Sequence, residues 1–212
     1  MTDENSSLFQ SLQHSLVELT VAYDSTVEAF SRALEMREGE PIGHTHQVTE
    51  VAVNLAKVLG VSTIDLAHIR RGALLHDIGK MGIPESILKK ERQLDKEEMA
   101  VIRLHPQYAY DLLFPIVFLH PAIDIPFCHH ERWDGSGYPQ GLKGEQIPFS
   151  ARIFAVVDVW DALISNRPQR KAWPEDLAID LIREQAGQQF DANVVDAFLN
   201  RKIRKKVTKP FV

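Results

Sequence analysis

The chain has 212 residues, of which 44% are hydrophobic and 25% charged, with 24 Lys+Arg against 29 Asp+Glu for a formal net charge of −5. These proportions exclude a disordered, collagenous or low-complexity chain and fit one globular domain with a helical extension. The acidic balance lacks the basic face that a nucleic-acid polymer requires. The single cysteine, Cys128, excludes an internal disulfide and a Cys-rich zinc site.

Apolar residues at Leu8, Leu12, Leu16, Leu19, Tyr23, Val27, Phe30 and Leu34 recur at helical spacing. They predict a long N-terminal helix, an extension over residues 1–35. Its stripe either docks on the rest of the chain or pairs with a second copy as a homodimer. A turn at Gly39, Pro41 and Gly43 leads to a helix from about His44 to Leu59, stopped at Gly60, a natural left-handed cap position. Ser62-Thr63-Ile64-Asp65 has the form of a capping box with Asp in place of Glu, and opens a helix that ends near Asp77. Gly79, Gly82 and Pro84 mark a loop. Asp95 to Glu98 repeats the capping pattern ahead of a short helix towards Leu104, and Pro106 fits the first turn of the next.

The run Leu112 to Leu119 is the most apolar, but Pro115 breaks it, and a membrane span needs about 20 apolar residues. The N-terminus is acidic and polar, the reverse of a signal peptide. A cytoplasmic protein with no membrane association is expected. Gly135, Gly137, Pro139, Gly141, Gly144 and Pro148 make Glu131 to Pro148 a loop. An apolar helix runs from Phe149 to about Ser165, Pro174 starts another that ends near Gly187, and Asp191 caps the last. No stretch alternates as a strand would, so the fold is read as all-α and without repeats. The main domain spans 36–205, with a tail at 206–212.

Among nine histidines, some fall in suggestive company. His76-Asp77 sits where an apolar helix meets a loop. Adjacent helical residues point about 100° apart, so both reach one large site or each serves its own ion. Imidazole with carboxylate suits Fe, Mn or Zn. His129-His130 closes the apolar stretch Ile123 to Cys128 just before the Gly-rich loop. Glu40 and His44 share a face if helical geometry begins at Glu40. Asp158 and Asp161 lie on the apolar helix, where a carboxylate is costly unless paired or bound to metal. Asp161 reads as the partner of Arg152 or Arg167, and Asp158 as a ligand. His105 precedes Pro106. Taken singly, His76-Asp77, Glu40 and His105 are ordinary helix-end residues.

Taken in order, the residues form three blocks. The first is Leu74-Leu75-His76-Asp77-Ile78-Gly79-Lys80 with Gly82-Ile83-Pro84. The second is His129-His130-Glu131-Arg132-Trp133-Asp134-Gly135-Ser136-Gly137-Tyr138-Pro139, with Gly141-Leu142-Lys143-Gly144 and Ile147-Pro148. The third is Ala151-Arg152-Ile153, Asp158-Val159-Trp160-Asp161-Ala162-Leu163 and Arg167-Pro168. From about Arg37 to Phe198 the chain resembles the HD-GYP family, a branch of the HD-domain phosphohydrolases.

That resemblance implies an HD-domain-like helical bundle with a bi- or trinuclear metal site, preceded by the long helix. It implies one ion held by His44, His76, Asp77 and Asp158, and a second by Asp77, His105, His129 and His130, with Asp77 bridging. Glu40 stands where family members hold a third ion. Iron or manganese is expected. The implied activity is hydrolysis of cyclic di-GMP to linear pGpG, GMP or both. Asp77 and Lys80 are the catalytic residues, with Lys80 reaching the phosphate or the leaving group. Arg167 and Arg170 resemble the basic residues that contact the ligand's phosphate or guanine. Gly137-Tyr138-Pro139 is implied to shape the substrate site and to meet partners such as diguanylate cyclases.

The chain departs from the family pattern at three places. It reads His44-Thr45-His46-Gln47-Val48 where an Arg often follows the His by three. It has Gln169 in place of a common Tyr, and Arg170 in place of Lys. None of these is a metal ligand. His14, His46, His68 and His120 have no assigned role. Two alternatives stand beside the cyclic di-GMP reading. One is hydrolysis of another cyclic dinucleotide such as cyclic GMP-AMP. The other is a catalytically weak nucleotide-binding adaptor, against which the complete ligand set argues.

Overall fold

A computed structural model of the chain describes residues 2–90, 92–166 and 171–200. Ten α-helices make up the described residues: α1 (Thr2–Glu38), α2 (His44–Val58), α3 (Thr63–Leu74), α4 (Glu85–Leu88), α5 (Lys96–Ile102), α6 (His105–Leu113), α7 (Asp124–Cys128), α8 (Phe149–Ile164), α9 (Glu175–Glu184) and α10 (Ala192–Leu199). Three 3-10 turns, Ile78–Gly82, Val117–Ala122 and Gly144–Gln146, link them. No strand occurs among the described residues, only an isolated bridge between Ala186 and Phe190. No helix among them is long and apolar enough to cross a membrane. Arg167, Arg170 and the expected tail at 206–212 lie outside the described residues.

Local chemistry sets the helix ends. The Ser62 hydroxyl accepts from the Asp65 amide at the start of α3, and Asp95 and Glu98 form a reciprocal capping box on α5. Asp191 accepts from the Asn193 amide at α10. Each satisfies an amide that the helix leaves unbonded. Gly60 adopts φ 80° just past α2, the left-handed conformation that a side chain resists.

The start of α2 is capped differently. Its N-cap, Gly43, has no side chain, and Glu35 of α1 accepts from both the Gly43 and the Thr45 amides at 2.8 Å. A buried carboxylate from another element thus takes the positive end of α2.

Helix α8 is apolar on nearly every side and runs through the core, as its composition requires. Leu55 of α2, Ile153, Phe154 and Val157 of α8, Ile182 of α9 and Phe198 of α10 pack into one cluster. A second cluster joins Val27 of α1 to Leu74, Leu75, Ile78, Leu113 and Leu119.

The stripe on α1 docks over only part of its length. Its later half docks: Tyr23 stacks on Phe118 with centroids 4.4 Å apart, Asp24 pairs with Arg71 at 2.6 Å, and Val27 and Leu34 are buried. Leu8, Phe9, Leu12, Leu16, Val17 and Leu19, on the earlier half, stay 53–65% exposed. The helix is continuous across residue 35 and ends with Arg37 donating to the Met81 and Ile83 carbonyls.

Candidate metal centre

The end of α3 unwinds after Leu74, and His76 and Asp77 occupy the step before the 3-10 turn at Ile78–Gly82. This turn lies against α6, whose first residue is His105. Gly79 makes the approach possible, since a Cβ there would lie 1.8 Å from the His105 carbonyl oxygen. His129 and His130 leave the C-terminal end of α7 and bring a third segment to the same point. Phe154 of the buried helix α8 forms a wall, its ring 4.9 Å from His76.

Asp77 is the centre. Its Oδ1 lies 3.3 Å from His105 Nε2 and 3.9 Å from His129 Nε2. Its Oδ2 lies 3.1 Å from His76 Nε2 and 2.7 Å from Lys80 Nζ. The two oxygens therefore face two different sets of partners. One donor atom each from Asp77, His105, His129 and His130 lies within 4.8 Å of the others. Lys80 also pairs with Glu38, the last residue of α1, at 3.0 Å.

The ring nitrogens show what the cluster is suited to hold. Nδ1 of His76 donates to the Ala73 carbonyl at 2.9 Å, Nδ1 of His105 to Ile102 at 2.8 Å, and Nδ1 of His129 to Ile125 at 2.9 Å. A neutral imidazole with its proton on Nδ1 presents a lone pair at Nε2. His105 Nε2 and His129 Nε2 sit 3.4 Å apart, both presenting lone pairs, with neither able to donate to the other. Converging lone pairs beside a carboxylate oxygen repel one another unless a cation stands between them. Carbonyls that lock the remote ring nitrogen are the usual outer support of a histidine–metal bond. The residues fit a divalent ion.

The electrostatics agree. Burial keeps His105, His129 and His130 below the ordinary histidine value, with neighbouring imidazoles adding to the effect, and pushes His130 down to about 3. These rings stay neutral and ready to ligate at pH 7. Burial also opposes charge on His76, but the Asp77 carboxylate beside it, with Asp158 further off, holds it up to about 9. Burial would raise Asp77, yet Lys80, His76 and His105 hold it well below the usual carboxylate range. Burial opposes the charge on Lys80, but Asp77 and Glu38 together keep it protonated.

The other expected site residues are placed less centrally. His44 lies 3.0 Å from Asp161 Oδ2, so Asp161 pairs with a histidine. Arg152, one of the two partners expected for Asp161, instead bonds Asp191 at 2.8 Å, and Arg167, the other, lies outside the described residues. Asp158 acts on His76 from α8. Glu40 precedes α2, which begins only at His44 after the left-handed Gly43, so the helical i,i+4 face imagined for Glu40 and His44 does not exist. The Glu40 amide bonds the Glu35 carbonyl at 3.0 Å, and its carboxylate bears on Glu38.

Three residues escape the sequence reading. Glu38 holds Lys80, and Glu35 caps α2; both lie on a helix that periodicity assigns only to packing. Glu131 is buried, and its carboxylate accepts from the Gln140 amide at 2.7 Å and the Leu142 amide at 3.0 Å, which folds the Gly-rich loop around one anchor. A glutamate directly after His129-His130 was the available signal. Within that loop a Cβ at Gly137 would lie 2.4 Å from the Arg132 nitrogen, so only glycine passes. The next residue, Tyr138, then lies along His130 with ring centroids 4.8 Å apart.

The sequence model of the HD domain matches residues 28–194. The chain belongs to the HD-domain family. It is 42% identical over 195 residues to the cyclic di-GMP phosphodiesterase response regulator RpfG of Xanthomonas campestris pv. campestris, covering 91% of this chain and 52% of that protein. It is 34% identical over 201 residues to the 3'3'-cGAMP-specific phosphodiesterase 2 of Vibrio cholerae, covering 94% of this chain and 37% of that one. The chain thus spans about half or less of these HD-domain relatives. Among solved structures, Bd1817, an HDG"Y"P protein of Bdellovibrio bacteriovorus, superposes with a TM-score of 0.61 at 21% identity, over 76% of this chain and 51% of that one. That likeness bears out the all-α HD-domain architecture.

Proposed function

We propose that this HD domain is a metal-dependent phosphodiesterase that opens cyclic di-GMP to linear pGpG and carries it on to GMP. The observation that carries the reading is the convergence of the Nε2 lone pairs of His105 and His129 on Asp77, with His130 beside them, in a chain whose relatives are named as cyclic dinucleotide phosphodiesterases. His105, His129, His130 and Asp77 Oδ1 would hold one ion. His76 and Asp77 Oδ2, with His44 and Asp158, would hold the second, and Glu40 a third. Imidazole-rich sites with shared carboxylate suit iron or manganese. Divalent ions supply Lewis acidity there, drawing charge off a phosphate and making water a stronger nucleophile.

The rest of the chemistry falls to the chain. In the hydrolysis, water oxygen bonds to phosphorus, the bond from phosphorus to the 3′ oxygen breaks, and that oxygen leaves with a proton. Lys80, held cationic by two carboxylates, is a poor proton donor, so its part is fixed positive charge beside the phosphate. Asp77 orients His76 and Lys80 with one oxygen while the other faces the buried imidazoles. The Phe154 wall and the buried rings exclude bulk water, which strengthens each of these charges. Arg167 and Arg170 would bind the ligand's phosphate or guanine.

The test is to purify the protein without oxygen, measure Fe and Mn per chain, and follow cyclic di-GMP by chromatography. Bound metal with pGpG and then GMP appearing is the expected result. The relative named for 3'3'-cGAMP favours a second reading, cleavage of that nucleotide, so both are assayed side by side. Bound metal with no turnover of either would identify an adaptor instead.

A further inference from the structure

A cyclic dinucleotide carries two phosphodiesters, and the cluster engages one of them. The other also brings a negative charge that the site has to meet. Beside the cluster, Tyr138 stacks along His130, and the Arg103 guanidinium lies 5.2 Å from the centre of the Tyr138 ring. Arg103 caps the C-terminal end of α5 and stands two residues before His105, so its backbone is set by the same turn that sets a cluster histidine. It is exposed.

Its guanidinium differs from the other arginines. Among the described residues it makes no hydrogen bond or ion pair, only the contact with Tyr138. The remaining described arginines each reach an oxygen: Arg70 to Glu50, Arg71 to Asp24, Arg132 to Gln189 and Arg152 to Asp191 are the more buried cases, and Arg32, Arg37, Arg92 and Arg183 do the same nearer the surface. An aromatic face orients a guanidinium plane while leaving its edge donors available, and those donors match a phosphate in pairs. No carboxylate competes for them among the described residues.

We infer that Arg103, seated on Tyr138, is a further anchoring residue that binds the phosphate of the cyclic dinucleotide that is not being cleaved. The inference rests on the cyclic dinucleotide reading given above. Arg103 touches neither the reacting phosphorus nor the metal ligands' donor atoms, so it acts on substrate affinity rather than on the chemical step.

The test compares the wild-type protein with Arg103→Ala and Arg103→Lys on two substrates: cyclic di-GMP, and bis(p-nitrophenyl) phosphate, which has a single phosphodiester. For Arg103→Ala the ratio of kcat/KM on cyclic di-GMP to that on the small diester is expected to fall about tenfold, mostly through KM. Metal per chain should match the wild type. Arg103→Lys should restore part of the loss, because a point charge remains without the paired geometry. An unaltered ratio, or loss of bound metal in both variants, would overturn the anchoring role. A wild-type protein that cleaves the small diester but neither binds nor cleaves cyclic di-GMP would overturn the reaction reading, and the inference with it.

Discussion

Asp77→Ala is expected to empty the cluster of metal and lower cyclic di-GMP turnover at least about a thousandfold. One carboxylate serves both halves of the site, with Oδ1 towards His105 and His129 and Oδ2 towards His76 and Lys80. Its removal takes a donor from each half at once. It also leaves the Lys80 ammonium with Glu38 as its remaining close carboxylate. Deleting one partner of a largely buried ion pair costs about 3 kcal/mol, because the other charge stays behind. Urea unfolding, metal analysis and a turnover assay on the same preparation read the three effects. Retention of both metal and turnover would refute the bridging role of Asp77.

The second large effect is expected from a residue that ligates nothing. Gly79→Ala would put a methyl group 1.8 Å from the His105 carbonyl oxygen and 2.6 Å from the Ala109 nitrogen. Both are backbone atoms, so no rotamer change relieves the overlap, and α6 has to move away from the Ile78–Gly82 turn. Overpacking of this kind costs about 3 kcal/mol or more. Because His105 begins α6, its Nε2 moves with it, so metal content and turnover should fall along with stability. Gly82→Ala is the control. Its nearest neighbours are Tyr108 ring atoms, the closest at 2.7 Å, and a side chain can swing away. The loss should be clearly smaller. Equal stability of Gly79→Ala and the wild type would show that α6 does not rest on this turn.

The helical framework was legible because its signals are local. Ser62, Asp95 and Asp191 cap helices where their hydroxyl or carboxylate matches a free amide, and Gly60 takes the left-handed turn that its missing Cβ allows. Helix α7 has no periodic signature in the sequence, because five residues containing Pro126 are too few to show a helical period. The 3-10 turn at Ile78–Gly82 read as a loop because its glycines serve close packing against α6 rather than a change of direction.

The site divides in the same way. Pairs such as His76-Asp77 and His129-His130 stand out in the sequence, yet spacing alone does not say that they meet. Three separate segments bring them together, and only the resemblance joined them in advance. The stripe on α1 marked Tyr23, Val27 and Leu34 as able to dock, but the polar contacts that the helix carries were not legible. Glu35 reaching the start of α2 and Glu38 reaching Lys80 are tertiary pairings between a helix and loops, with no periodic signature. The pairing of His44 with Asp161 has the same origin, since it crosses from α2 to α8.

The most direct test of the central claim is an anomalous difference map from crystals grown with manganese. We expect a peak ligated by Nε2 of His105 and His129, by His130 and by one Asp77 oxygen, with a second peak on the His76 side of the same carboxylate. Manganese-soaked crystals with no peak at Asp77, and with those imidazoles hydrogen-bonded to water instead, would contradict the account.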